Sequence, residues 1–279
     1  VAEIRYRDAW RQFLPNDHKW WMRDEEGRLA KGWAEGGFIR LDFVNPEYRR
    51  HVARRAKAVV ESGVVDGILL DWWRDDEHRL ALVREVRRAI RDEHLILANT
   101  NDRTAPKTAP YIDGYFMECT RSRTAHDWER ITTTLTWAEK NLRQPPVNCV
   151  EVWFRNSRDD LNLMRAVTTL TLTHSNGYCL FSDPNPLPTP DHLHNWYPFW
   201  DKSLGRPTSE DVRRPDGATS REFENGTAVY NPIDNRTVSI VFDDVRTSVA
   251  TGRSARRHEL AALDGDIFLR LPPAPGQPR

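Results

Sequence analysis

Short apolar segments that each finish on a polar residue recur along the chain. Their ends are Asp42, Asp71, Asn99, Glu118, Glu151 and Asp183, at intervals of 29, 28, 19, 33 and 32 residues. The segments are Phe38–Phe43 (FIRLDF), Val65–Asp71 (VDGILLD), Leu95–Asn99 (LILAN), Ile112–Glu118 (IDGYFME), Val147–Trp153 (VNCVEVW) and Gly177–Asp183 (GYCLFSD), preceded by a weaker Ala2–Tyr6. Apolar or aromatic runs of this length, bounded by Gly, Asp, Asn or Pro, read as buried parallel strands.

Helical patterns lie between the runs. Asn45-Pro46-Glu47 supplies a cap, a proline at the first helical position and an acid in the first turn. The helix it opens keeps Tyr48, Val52, Ala56, Val59 and Val60 at helical spacing and stops at Gly63. Glu77–Asp92 repeats the design with Leu80, Val83, Val86 and Ile90 inward; Asp127–Leu142, Asp159–His174 and a shorter Asp191–Leu204 follow. Only the Asn99–Glu118 interval, with its loop TAPKTAP, is too short for a full helix.

Alternating strands and helices imply a parallel sheet with helices outside. Polar residues at nearly every strand end suit a closed TIM-type (β/α)8 barrel with one catalytic mouth better than an open sheet. The chain has no GxGxxG or Walker loop. Seven strands are expected, so one barrel strand is missing, and the simplest account is a chain that begins after the first strand of a longer parent. The barrel is expected over 1–205 and a linker over 206–220. Residues 221–272, with short segments split by Gly, Asn-Pro and Asp-Gly turns, read as a small antiparallel β-sandwich domain, and 273–279 as a tail.

Composition narrows the function classes. Lys and Arg number 41 and Asp and Glu 41, a balance that argues against a nucleic-acid partner. No apolar run is long enough for a membrane helix. Cys119, Cys149 and Cys179 have no zinc-site spacing, and the scattered histidines form no HExxH pair, so neither a metal nor another cofactor is expected. The first residue is Val, so an export signal to a secreted or periplasmic location would lie outside this chain. Eleven Trp are many for this length. They either fill core and helix–sheet seams or offer flat faces to sugar rings.

The candidate chemistry lies at the strand ends. Asp71 closes one strand, ahead of Trp72 and Trp73, and Glu118 closes the strand two further round. Alternate barrel strands share a side-chain layer, so the two carboxylates are expected to face each other across the mouth. Glycoside cleavage needs such a pair, one carboxyl donating a proton and the other acting as nucleophile or base. Glu151, on a strand face with Cys149 and Trp153, is a third catalytic candidate. Asp42, Trp72, Trp73, Asn99, Asn101, Trp153 and Asp183 are candidates for contacting sugar hydroxyls and faces. A strand-end Asp is also a common loop acceptor or helix cap, the reading that suits Asp42 and Asp183 best. His18-Lys19-Trp20-Trp21, in the irregular stretch after the first strand, reads as a lid or subsite wall.

DFVNPEYRRHV followed by GVVDGILLDWW resembles the pattern of a sequence-defined glycoside-hydrolase-like TIM-barrel family, and REFENGTAVYNP and DGDIFL resemble its trailing β domain. VDGILLD is also similar to α-galactosaminidase-type barrels, which cleave amino-sugar polymers. The resemblance implies a catalytic Asp after this strand and a Glu two strands later, here Asp71 and Glu118. The function expected is a glycoside hydrolase acting on a poly- or oligosaccharide. A non-catalytic carbohydrate-binding barrel is the alternative. A metabolic barrel for phosphorylated substrates is disfavoured by the lack of a late Gly-rich phosphate loop.

Overall fold

The computed structural model describes residues 1–34, 36–184 and 192–271; the side chains of 183, 184 and 192 are outside the described set. The chain is a partial parallel β/α barrel followed by an antiparallel sheet. It forms two compact units. The first comprises Val1–Glu118 with Trp137–Cys149, and the second Cys119–Thr136, Val150–Pro184 and the residues from Leu193 onward.

In the first unit β1 (Ala2–Glu3) is followed by β2 (Asp8–Trp10), β3 (Phe38–Arg40), α1 (Pro46–Glu61), β4 (Gly67–Leu70), α2 (Glu77–Ile90), β5 (Leu95–Asn99) and β6 (Gly114–Cys119). Strands β1, β4, β5 and β6 lie side by side and parallel, with Glu3 opposite Leu69, Leu70 opposite Ala98, and Asn99 opposite Phe116. Asn45 accepts the Glu47 N–H at 2.9 Å to start α1, and Asp76 accepts the Arg79 N–H at 2.9 Å to start α2. Tyr48, Val52 and Ala56 of α1 and Val83, Val86 and Ile90 of α2 are buried, as their spacing predicts.

The N-terminal end of β6 is held by charge. Asp113 and Arg87 are 7% and 6% exposed and paired; Asp113 also accepts from the Arg143 Nε at 2.9 Å and the Ile96 N–H at 2.7 Å.

Two expectations need correction. Phe38–Phe43 is not a barrel strand. Only Phe38–Arg40 is extended, and it pairs antiparallel with Asp8–Trp10 in a separate two-stranded sheet. Its burial falls from Phe38 to the exposed Arg40, the profile of a one-sided ribbon rather than of a strand covered on both faces. Asp42 therefore ends no parallel strand; its carboxylate accepts the Val44 N–H at 3.1 Å in the turn leading to α1. The expected helix Asp191–Leu204 is also absent. Asp191 lies outside the described residues, His192–His194 is extended, and Pro198 opens a short 3-10 turn, Pro198–Asp201. A proline lacks the N–H that a continuous helix would need there.

The second unit carries most of α3 (Ala125–Asn141), then β7 (Cys149–Trp153), α4 (Leu161–His174), β8 (Tyr178–Pro184) and β9 (His192–His194). Among the described residues the β/α sheet has seven strands in the order β1-β4-β5-β6-β7-β8-β9, so β1 pairs directly with β4 and β9 follows β8 at the other end. The cysteines lie on β6, β7 and β8. The antiparallel strands are β10 (Val212–Arg213), β11 (Thr219–Phe223), β12 (Gly226–Asn231), β13 (Val238–Ser248), β14 (Ser254–Leu260) and β15 (Asp264–Arg270), in the order β10-β11-β12-β15-β13-β14. Val229, Val238, Ile240, Leu260 and Phe268 form their core.

Helix α4 lies against this sheet. Arg165 holds Asp264 in a two-pronged pair, both bonds 2.8 Å. Gly265 sits so close to α4 that a Cβ would fall 1.8 Å from the Thr169 Oγ1. Among the described residues no helix is long and apolar enough to cross a membrane.

Removing one partner of a buried ion pair leaves the other uncompensated. Asp113→Ala is therefore expected to lower stability by about 3–5 kcal/mol, read from urea unfolding. A loss under about 1 kcal/mol, the value of an exposed pair, would show that Arg87 is solvated.

Candidate active site

Strand β4 is apolar with Ile68 and Leu70 fully buried, and it delivers Asp71 to its C-terminal end. The chain then turns through Trp72 at φ 54. A left-handed conformation costs a bulky residue about 1–2 kcal/mol, so it has to be imposed by the surroundings. The Trp72 carbonyl accepts the Tyr6 hydroxyl and the Arg79 Nη2, each at 3.0 Å. Arg79 Nε donates to the Tyr6 oxygen at 2.9 Å, closing the triangle. Burial pushes the Tyr6 phenol well above its ordinary value, so it remains a donor. The two tryptophans divide. Trp73 is buried and donates to the Thr108 Oγ1 at 3.0 Å, whereas the Trp72 ring is 46% exposed, with the Arg7 guanidinium 4.1 Å from its centre.

Asn99, at the end of β5, links the two principal carboxylates. Its Nδ2 donates to Asp71 Oδ1 at 2.8 Å and to Glu118 Oε2 at 2.7 Å. Its Oδ1 accepts the Asn101 N–H at 3.1 Å, which fixes the orientation of the amide. Asn101, also left-handed at φ 54, donates from Nδ2 to the Glu118 carbonyl at 2.7 Å. Two oxygens held by one amide nitrogen through bonds of 2.8 and 2.7 Å are no farther apart than those bonds end to end. A pair held this closely resembles the retaining arrangement, about 5–5.5 Å between carboxyl groups, more than the 6.5–9.5 Å or so of inverting pairs.

The Asp71 carboxyl is held above the usual aspartate range. Burial is the main cause and the Asp8 charge adds to it; the Trp72 and Asn99 N–H bonds and the Arg5 charge pull the other way. Asp71 Oδ1 takes both N–H bonds, from Trp72 at 2.7 Å and from Asn99 at 2.8 Å.

Glu151 belongs to the second unit and has a different setting. It is fully buried on β7, where it accepts the Ser182 hydroxyl at 3.1 Å and meets His194 Nε2 at 2.6 Å. Trp153 lies two residues along the same strand and is partly buried. The side chain of Asp183 lies outside the described residues. Trp20 packs on α1, 5.1 Å from the Tyr48 ring and 4.9 Å from the His51 ring, and Trp21 is buried. Sequence reasoning passed over His194, which is 43 residues from Glu151 with no motif to join them. It also passed over Tyr6 and Arg79, whose roles are visible only once the turn at Trp72 is seen. Among the described residues no group of three His, Cys, Asp or Glu side chains could hold a metal ion.

The sequence matches no protein-family profile and no curated protein. The fold matches solved structures. A maltogenic α-amylase from Thermotoga neapolitana aligns over 95% of this chain and 76% of its own, at TM-score 0.58 and 10% identity. An α-amylase from Lactobacillus plantarum aligns over 96% and 77%, at TM-score 0.55 and 13% identity. A cyclic α-maltosyl-(1→6)-maltose hydrolase from Arthrobacter globiformis, solved with maltose, aligns over 96% and 74%, at TM-score 0.53 and 13% identity. The likeness is therefore one of fold, to the barrel and trailing sheet of α-amylases.

With its pKa raised by folding, Asp71 contributes stability that is complete below the ordinary aspartate value and is lost as pH rises through the raised one. Asp71→Asn removes that dependence. The variant is expected to gain stability relative to the parent across this window and to level off above it, in urea midpoints taken from roughly pH 3 to pH 8. A difference independent of pH would show that Asp71 ionises as freely in the folded protein as in the unfolded chain.

Proposed function

We propose that this chain is a glycoside hydrolase acting on a poly- or oligosaccharide, with Asp71 and Glu118 as its carboxylate pair. The observation that carries the reading is the Asn99 amide donating to both carboxylates at once. Its spacing supports retention of configuration. Asp71, held toward its protonated form, is the proton donor, and Glu118 is the nucleophile. Glu118 attacks the anomeric carbon while the Asp71 proton passes to the departing glycosidic oxygen. The Asp71 carboxylate then takes a proton from water, and the water oxygen displaces Glu118 from the sugar. The hydroxyl-rich substrate is met by the Asn99 and Asn101 amides and by the exposed Trp72 face.

The fold likeness to α-amylases supports a carbohydrate substrate without naming the sugar.

The test is reducing-end release from a polysaccharide panel by the parent, Glu118→Gln and Asp71→Asn. Both variants are expected to fall at least 100-fold, the lower bound for a lost acid–base group. A substrate with an activated leaving group should restore the first step to Asp71→Asn and not to Glu118→Gln. Unchanged release by Glu118→Gln would move the chemistry to another carboxylate. Sugar binding without release by the parent would leave a non-catalytic carbohydrate-binding barrel.

A further inference from the structure

Between β1, the β2–β3 ribbon and α1 the first unit has an open groove of about 520 Å³. Its aromatic wall is built by local structure. Trp10 stands opposite Phe38 in the β2–β3 ribbon, their rings 5.9 Å apart. Phe13 follows three residues after Trp10 across a 3-10 turn, a spacing that puts both on one side. Trp10 is 60% exposed and Phe13 41%. Large rings facing water in this way offer flat apolar faces to a ligand.

The charged lining is Glu3, Arg5 and Arg55, with Ala9 and Gln12 completing the wall. Arg5 is occupied, with Glu3 at 3.3 Å and Asp8 at 3.2 Å, and its guanidinium lies 4.3 Å from the Phe38 ring centre. Arg55 differs. Its contacts are the Arg5 carbonyl at 3.3 Å and the Phe13 ring at 5.7 Å, and no carboxylate of the described residues pairs with it. A guanidinium beside an aromatic ring and outside any carboxylate pair of the described residues can grip a planar anion with two parallel N–H bonds. Arg5 also connects the groove to the chemistry, since its charge acts on Asp71.

We infer that this groove is a subsite for a sugar unit bearing a carboxylate, a uronic acid, in the substrate chain. The sugar face rests on Trp10 and Phe13, and its carboxylate meets Arg55. This rests on the glycoside-hydrolase reading and narrows its substrate class to acidic glycans. A cationic amino-sugar polymer, which the sequence resemblance suggests, would meet an unfavourable charge here.

Calorimetric titration of the whole chain with trigalacturonate and with maltotriose tests the assignment. The acidic trimer is expected to bind at least about tenfold more tightly, the scale of one hydrogen-bonded charge pair. Arg55→Gln should abolish that preference and leave maltotriose binding as it was. Arg55→Lys, which keeps the charge and loses the fork, should retain part of it. Trp10→Ala should weaken the acidic trimer as well. Equal binding of the two trimers, no binding of trigalacturonate, or a preference that survives Arg55→Gln would overturn the subsite. Hydrolysis of neutral chains with no acidic preference would remove the subsite and keep the hydrolase. An Arg55-dependent preference with no hydrolysis of any glycan would keep the subsite and remove the hydrolase.

Discussion

An amide side chain has two N–H donors diverging from one nitrogen. At Asn99 both point at carboxylates, Asp71 on one side and Glu118 on the other. This neutral bridge holds an oxygen of each acid on one nitrogen. It also makes their separation a property of a rigid planar group rather than of two flexible side chains. Asn99 is 5% exposed and anchored through its oxygen to the Asn101 N–H, so the bridge cannot rotate away without breaking that bond.

The same strand shows the opposite treatment at its other end. Asp113 precedes β6 and is clamped by Arg87 and Arg143, whereas Glu118 near the end of β6 is faced by the amide of Asn99. One acid sits between two guanidinium groups; the other meets a neutral amide. Of the left-handed non-glycine residues, Arg91, Asn156 and Leu263 lie elsewhere in the chain. The left-handed Trp72 and Asn101 both flank the carboxylate pair. Asn adopts that conformation readily, while Trp needs the Tyr6 and Arg79 clamp on its carbonyl. Tyr6 comes from the segment after β1 and Arg79 from α2, so parts of the chain distant in sequence hold a single peptide in place.

What could be read in the sequence followed from periodicity. Helices α1, α2 and α4 were legible because their caps and apolar spacing are local signals, and the strand ends at Asp71, Asn99 and Glu118 because a polar residue closes an apolar run. Phe38–Phe43 misled for the same reason. Six residues of suitable composition do not say whether the partner strand is parallel or antiparallel, and the partner, Asp8–Trp10, is itself too short to announce itself. Residues 192–204 carry enough Trp and Leu to imitate a helix, yet Pro198 sets their conformation. Asn99 was legible as a strand end but not as a bridge, since bridging depends on which side chains three neighbouring strands present together. Arg55 sits among outward-facing arginines of α1, and only the packing of Phe13 against that helix separates it from them.

The contact between Gly265 and Thr169 has a consequence for how this protein can change over time. With no room for even one methyl group between β15 and α4, and with Arg165 gripping Asp264 one residue away, the helix and the sheet are fitted at the level of single atoms. A sheet of the same shape from another protein would need a glycine at the same point on β15 and an acid beside it before it could dock. The unit of inheritance is therefore the sheet together with α4. A recombination joint placed between them would separate surfaces that have to vary together.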